Sequence, residues 1–286
     1  MLSRDLRRVN GWTPTPDPSS TGLPSGTLAA MTTVLVGAGA DPDFLAPFDV
    51  FAEALPQHRT VHLAVVVHSD QADPATLLAA YTGPLEARLN CRIVPILLHG
   101  DTVDAVNSNS FDAVDGIVVG GGRTPAYLKG LRGAAANIAQ RVANGVPYLG
   151  FSAGAMVAPG RALTGGYLVN GVEVCDEGCS EGISEVQVED GLGLAPFSID
   201  VHAAQAGTLS RAVAAVDAGL VERVVAIDEG TALVITDPAA TDNTVLGSGR
   251  CWDIQRRTNS DGWLPGAGVV VVLRTATQAP RTSQQK

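Results

Sequence analysis

Val146-Pro-Tyr-Leu-Gly150-Phe-Ser152-Ala-Gly154-Ala-Met-Val-Ala158 changes character twice in a short span. The apolar run from Val146 to Phe151 reads as a buried strand. Gly150 to Gly154 fits the G-x-S-x-G pattern, and Ala155-Met-Val-Ala can open a helix. A strand that turns sharply into a helix at a serine needs small neighbours, because the serine backbone is strained and closely approached. The turn lifts the hydroxyl off the sheet edge and aims helix N-terminal amides at the same spot. The bland alternative is a plain strand-to-helix turn with glycines for geometry.

Outward from this stretch the pattern repeats. Upstream, strand-like runs occur at Val34–Gly37, Val61–His68, Ile93–Leu98 and Gly116–Gly120. Helical segments separate them at Phe44–Leu55, Ala75–Leu89, with a break expected at Gly83-Pro84, and Pro125–Asn144. Continuous Val/Ile/Leu strands alternating with helices predict a parallel sheet covered on both faces. Downstream come strands at Phe197–Val201, Arg223–Asp228 and Thr231–Thr236, with a helix near Ala203–Ala218. Thr244–Gly247, Cys251–Gln255 and Val269–Leu273 read as antiparallel edge strands. The fold class is therefore α/β, a three-layer sandwich with a mostly parallel central sheet. Between Gly160 and Gly193 the chain is rich in Gly, Glu and Asp and has little periodicity, as a site wall or lid would.

The expected organisation is one α/β domain over residues 31–275. A flexible extension over 1–30 precedes it, rich in Pro, Ser and Thr, and a polar flexible tail over 276–286 follows. The 286 residues carry a net charge of -10, and lysine occurs only at Lys129 and Lys286. Such a surface repels phosphate backbones and offers no polybasic membrane patch, so neither nucleic acid nor membrane is an expected partner. No run of 18 apolar residues and no secretory leader is present, so the expected location is cytoplasmic. Four cysteines in a chain of this length do not make a disulfide scaffold.

A serine nucleophile needs a base. His202 is the only histidine after Ser152, and it ends a strand at the edge where open parallel sheets carry their sites. His99 also ends a strand and is its rival, while His62 and His68 read as core or rim residues. Asp228 and Glu229 end the next strand. Only one of the two can face His202, because adjacent strand residues point oppositely. Gly120-Gly-Gly122-Arg123 ends another strand and lets backbone amides approach a substrate oxygen. It lacks the G-x-G-x-x-G pattern of a dinucleotide loop, as does Gly37-Ala-Gly39-Ala40. Cys175 and Cys179, spaced C-x3-C without a partner pair, are a weak metal signal, and no metal or other cofactor is expected.

Taken together, Val119-Gly-Gly-Gly-Arg-Thr, Gly150-Phe-Ser-Ala-Gly-Ala, Gly191-Leu-Gly-Leu-Ala-Pro, Asp200-Val-His and Ile227-Asp-Glu-Gly-Thr-Ala-Leu resemble the serine peptidase family of cyanophycinase and dipeptidase E. The resemblance spans roughly residues 31–275. It implies a flavodoxin-like, class I glutamine-amidotransferase-like sandwich. By position it implies Ser152 as nucleophile, His202 as general base and Glu229 as orienting acid. Gly122 with Gly121, and the Ala153 amide, would form the oxyanion hole. The expected substrate is a small peptide or amide, cleaved through an acyl-enzyme, with a homodimer left open. The segment after His202 departs from the family pattern. Ala203 replaces an aromatic residue, and Ala206 and Thr208 stand where arginines are expected, leaving Arg211. Arginine is the natural bidentate partner of a substrate carboxylate, so aspartyl substrates lose their anchor. Arg123 beside the glycine loop is an alternative substrate contact or a surface ion pair. Two other readings stay open: an idle relative that binds a ligand or protein through the same pocket, and an α/β-hydrolase esterase whose acid, such as Asp190, lies between Ser152 and His202.

Overall fold

A computed structural model describes residues 31–100, 105–237, 243–257 and 268–276. The expected extension over 1–30 lies outside these residues, as does all but the first residue of the 276–286 tail.

The first half alternates strands and helices as the hydrophobic pattern requires. It runs β1 (Thr33–Val36), α1 (Ala46–Glu53), β2 (Val61–Ser69), α2 (Leu78–Glu86), β3 (Cys91–His99), β4 (Gly116–Val119), α3 (Thr124–Leu131), α4 (Ala135–Ala143), β5 (Tyr148–Phe151) and α5 (Ala153–Met156). Then come four short strands, β6 (Arg161–Gly165), β7 (Leu168–Val169), β8 (Val172–Glu173) and β9 (Gln187–Asp190). The remainder is β10 (Ser198–Val201), α6 (Leu209–Asp217), β11 (Arg223–Ile227), β12 (Thr231–Ile235), β13 (Thr244–Gly247), β14 (Arg250–Arg256) and β15 (Val269–Thr275).

The central sheet has seven strands in the order β13-β12-β1-β5-β4-β2-β3. From β1 to β3 every pairing is parallel, and β12 and β13 close the other edge antiparallel. Alternation along each strand divides the core in two. Val34, Val36, Val65, Val67, Val118 and Phe151 pack with Phe48 and Phe51 of α1 and Tyr81 and Leu85 of α2. Leu35, Val66, Ile117 and Val119 face the other way, onto α3, α4, α5 and the second half of the chain. Those are the three layers.

Three elements differ from the sequence expectation. The helix expected over 125–144 is interrupted by a tight turn at Arg132–Ala134, which contains Gly133 and follows Gly130. Helix α2 runs through Pro84, because Tyr81 and Leu85, one turn apart, are both buried and hold it on the sheet. Cys251–Gln255 and Val269–Leu273 do not edge the central sheet. They form a second sheet, β10-β11-β14-β15, parallel at β10–β11 and antiparallel beyond. Buried Asp253 of β14 fixes that sheet. It accepts two hydrogen bonds from the Arg223 guanidinium at 2.9 and 2.8 Å, and a third from Arg274 at 3.0 Å.

Burial works against the charge on Asp253, yet the hydrogen bonds of Arg223 and Gln255 and the charges of Arg223 and Arg274 hold its carboxyl below the usual range. A carboxyl depressed in the folded state adds stability above its unfolded pKa, and that stability is lost as pH falls through the folded value. Asp253→Asn is therefore expected to cost about 2 kcal/mol near neutral pH, discounted for the partly exposed arginines. The difference from wild type should close as pH drops below the carboxylate range. Urea melts across pH check both.

Among the described residues no helix is long and apolar enough to cross a membrane.

Candidate active site

The carboxyl ends of β1, β4 and β5 lie side by side, and the expected site residues begin there. Ser152 follows β5 with φ 47° and ψ -110°, a backbone conformation that L-residues rarely adopt. Its N–H donates to the Val36 carbonyl at 3.0 Å, and the Ala155 and Met156 amides bond back to its own carbonyl. The flanking glycines are needed for space. A β-carbon on Gly150 would lie 2.4 Å from the Gly154 carbonyl oxygen, and one on Gly154 would lie 2.2 Å from that of Val119. The G-x-S-x-G spacing is thus a packing requirement of the turn.

His202 follows β10, also in left-handed backbone, with φ 57°. Its N–H donates to the Gly37 carbonyl at 3.0 Å, which ties this histidine to the end of β1. The helix expected from Ala203 starts only at Leu209, because this turn comes first. Ser152 Oγ and His202 Nε2 are 2.9 Å apart, and His202 Nδ1 is 2.7 Å from Glu229 Oε1. His202 and Glu229 are partly open to solvent, at 31 % and 44 % side-chain exposure. Their neighbour Asp228 is buried and structural. It accepts from the Ala204 and Arg250 amides and from the Trp252 indole N–H. The alternation between adjacent strand-end residues decides which acid meets the imidazole.

Gly37 packs against this junction. Its N–H donates to the Thr231 carbonyl, and a β-carbon there would come within 2.1 Å of the Asp228 carbonyl oxygen. The Gly37-Ala-Gly39-Ala40 stretch serves close strand-end packing.

The glycine loop after β4 lies against the serine turn. A β-carbon on Gly121 would be 3.6 Å from Ser152 Cβ. The structure corrects one member of the expected oxyanion hole. The Gly121 N–H is already taken by the Tyr81 hydroxyl at 2.8 Å, and the Gly121 carbonyl accepts from Tyr127 at 3.0 Å. Burial pushes both phenols above their ordinary range, so they stay neutral and able to do this. Among the described residues, the Gly122 and Ala153 N–H groups have no acceptor. Tyr81 and Tyr127 were invisible as site residues in the sequence, because both read as helix core.

His68 is a core residue, as its place in a strand suggests, and Arg123 lies beside it. His68 is buried under the loop, with Nε2 3.2 Å from the Gly100 carbonyl and 3.2 Å from Asp70, and Nδ1 accepting from the Arg123 amide at 3.5 Å. The Arg123 guanidinium donates to the Glu181 carbonyl at 3.0 Å and sits 3.8 Å from Asp70. Of the two readings of Arg123 the ion pair, with Asp70, is the one present in the structure, and its guanidinium also ties the 160–193 segment to the glycine loop. His99 ends the outermost strand, three strands from β5, or about 14 Å across the sheet. Asp190 ends β9 and does not meet His202, whose Nδ1 goes to Glu229.

The segment between Gly160 and Gly193 is more ordered than its composition suggests, with antiparallel pairs β6–β9 and β7–β8. Strands of two to five residues leave no readable period. The segment walls a cavity of about 280 Å³ that holds Ser152 and His202 together with Cys179, Glu181 and Arg211. A larger hollow of about 800 Å³ outside α6 is lined by no histidine. Burial raises the Cys175 and Cys179 thiols, which makes them poor ligands or nucleophiles. No group of three or more His, Cys, Asp or Glu residues suited to a metal occurs among the described residues.

The family model described as peptidase family S51 matches residues 66–242, more than half of the chain. The chain belongs to peptidase family S51. This S51 protein is accordingly a serine-type peptidase, of the cyanophycinase and peptidase E kind that its motifs resemble. Two solved structures share its fold. One is a candidate peptidase E protein from Listeria monocytogenes EGD-e, at 16 % identity and TM-score 0.51, covering 77 % of this chain and 100 % of that one. The other is a peptidase from an acI-B1 Actinobacterium, at 15 % identity and TM-score 0.54, covering 87 % and 96 %. No curated protein matches this S51 chain.

Proposed function

We propose that this S51 peptidase cleaves a small peptide or amide substrate through an acyl-enzyme formed on Ser152. The observation that carries the reading is the unbroken contact Ser152 Oγ–His202 Nε2–Glu229 at 2.9 and 2.7 Å. With the Nδ1 proton directed at Glu229, the Nε2 lone pair faces the serine hydroxyl. His202 takes the serine proton as Oγ attacks the carbonyl carbon. Glu229 holds the tautomer and stabilises the imidazolium that forms. The Gly122 and Ala153 amides receive the negative charge on the carbonyl oxygen, each donor of this kind contributing roughly 3 kcal/mol to lowering the barrier. The imidazolium then protonates the leaving amine, and water enters by the reverse steps to free Ser152. The cavity, near 280 Å³, suits a few residues at most.

A fluorophosphonate probe tests the assignment. The wild-type protein is expected to be modified at Ser152, as read by mass spectrometry of the labelled peptide, and Ser152→Ala is expected to stay unmodified. Absence of label on folded wild-type protein would overturn the reading and leave the pocket to ligand binding alone.

A further inference from the structure

The wall opposite the reacting groups carries one charge that the proposed chemistry does not use. Arg211 lines the cavity, yet it is committed. Its Nε and Nη2 bond both oxygens of Asp200, at 2.9 and 2.6 Å, and its Nη1 bonds the Gly166 and Cys179 carbonyls. That ion pair is neutral as a unit. Thr208 is also engaged, donating to the Val201 carbonyl. Among the described residues lining the cavity, Arg211 is the sole arginine or lysine, and it is turned to Asp200 instead of a substrate carboxylate.

Glu181 is different. It lines the same cavity and is mostly buried, and among the described residues its carboxylate has no ion-pair partner. Thr124 alone hydrogen-bonds it among the described residues, through its hydroxyl at 3.3 Å and its backbone amide. Burial pushes the carboxyl up, and the two Thr124 bonds and the more distant Arg211 and Arg123 charges only oppose that shift. A carboxylate taken from water without a counter-ion is costly, so a charged partner arriving from the open side is favoured.

The backbone around it is built to hold this position. Glu181 has φ 59°, and its carbonyl accepts from Arg123. The Ser180 carbonyl accepts from the Gly166 and Ile183 amides, and the Ser180 hydroxyl accepts from Gly182. Gly165 leaves the room, since a β-carbon there would lie 2.8 Å from Glu181 Cβ. The turn is thus clamped from the glycine loop on one side and from the β6 end on the other.

We infer that Glu181 selects the substrate of this site, receiving an ammonium or guanidinium group next to the bond that is cut. The inference rests on Ser152, His202 and Glu229 being the reacting groups. The cation has two sources, a free α-amine or a basic side chain, and both present N–H donors to the carboxylate. An acidic substrate meets repulsion here instead of an anchor, which accords with alanine and threonine standing at 206 and 208.

The test uses binding, so that it does not depend on turnover. Four dipeptides, Lys-Ala and norleucyl-Ala, each with the amino terminus free or acetylated, are titrated calorimetrically into the Ser152→Ala protein. At least one cation-bearing peptide is expected to bind about 10- to 100-fold tighter than acetyl-norleucyl-Ala, the range of a charge-assisted hydrogen bond. Which one binds identifies the α-amine or the side chain as the source. Adding Glu181→Gln should bring that ratio toward one, and adding Glu181→Lys should shift preference to a glutamyl peptide, with circular dichroism checking the fold of each. No cation preference, no binding by any peptide, or a preference that survives both Glu181 variants would overturn the inference. The fluorophosphonate experiment decides separately whether Ser152 is the nucleophile, so the two failures are distinguishable.

Discussion

His202→Ala is expected to lower kcat about a million-fold, and adding Ser152→Ala to it is expected to cost nothing further. The reason is that the two groups act as one unit: without an acceptor for its proton the serine hydroxyl is a weak nucleophile, and without the hydroxyl the imidazole has nothing to activate. Steady-state kinetics of both single variants and the double variant on a chromogenic amide measure this. Additive losses would mean that the 2.9 Å contact is not the reacting pair. The fold should survive, since alanine at 202 keeps a β-carbon in the same left-handed backbone and the His202 amide still reaches the Gly37 carbonyl. What remains should come from the Gly122 and Ala153 amides and from binding, as residual catalysis does in other triads.

The second large effect is on stability. Arg211 and Asp200 are 3 % and 0 % exposed, and the guanidinium also satisfies two carbonyls of the 160–193 segment. Burial disfavours the arginine's charge, but Asp200 more than restores it, and the guanidinium is held more basic than usual. Arg211→Met would leave a buried carboxylate with no counter-charge and two carbonyls without their donor. Breaking such a pair costs about 3–5 kcal/mol, or about 10 °C in Tm for a domain of this size. The double change Arg211→Met with Asp200→Leu should recover part of the loss, because the lone charge is then gone. Thermal unfolding by circular dichroism measures both. A single variant as stable as wild type would mean that the segment is held by its apolar contacts alone.

The parallel strands were readable because they are buried on both faces, so Val34–Val36, Leu63–Val67 and Ile117–Val119 appear as unbroken aliphatic runs. The serine turn was readable because its glycines are dictated by close backbone approach, and that leaves a pattern in the chain. His202 was readable by position, at a strand end downstream of Ser152. Strand alternation narrows Asp228 and Glu229 to one of two and the family resemblance points to Glu229, while the structure buries Asp228 and puts Glu229 2.7 Å from the imidazole. Other features were hidden for physical reasons. The tyrosines that hold Gly121 look like core residues of α2 and α3, because their rings are core and only their hydroxyls reach the loop. The second sheet was misread as central-sheet edge, since a half-buried antiparallel strand carries no mark of which sheet it joins. Glu181 sits in a segment whose strands are too short to show a period, so its burial could not be anticipated.

The pairing of β1 has a consequence for how the protein is made. Thr33 lies opposite Ile235 on one side and Tyr148 on the other, so an early strand must wait for a late one. On the ribosome the stretch through β5 emerges with one flank of β1 unpaired, and contacts of such wide separation form slowly. Ser152 is synthesised before His202, and His202 before Glu229. The site is therefore completed with the closing of that flank, late in translation, once Glu229 and β12 have emerged.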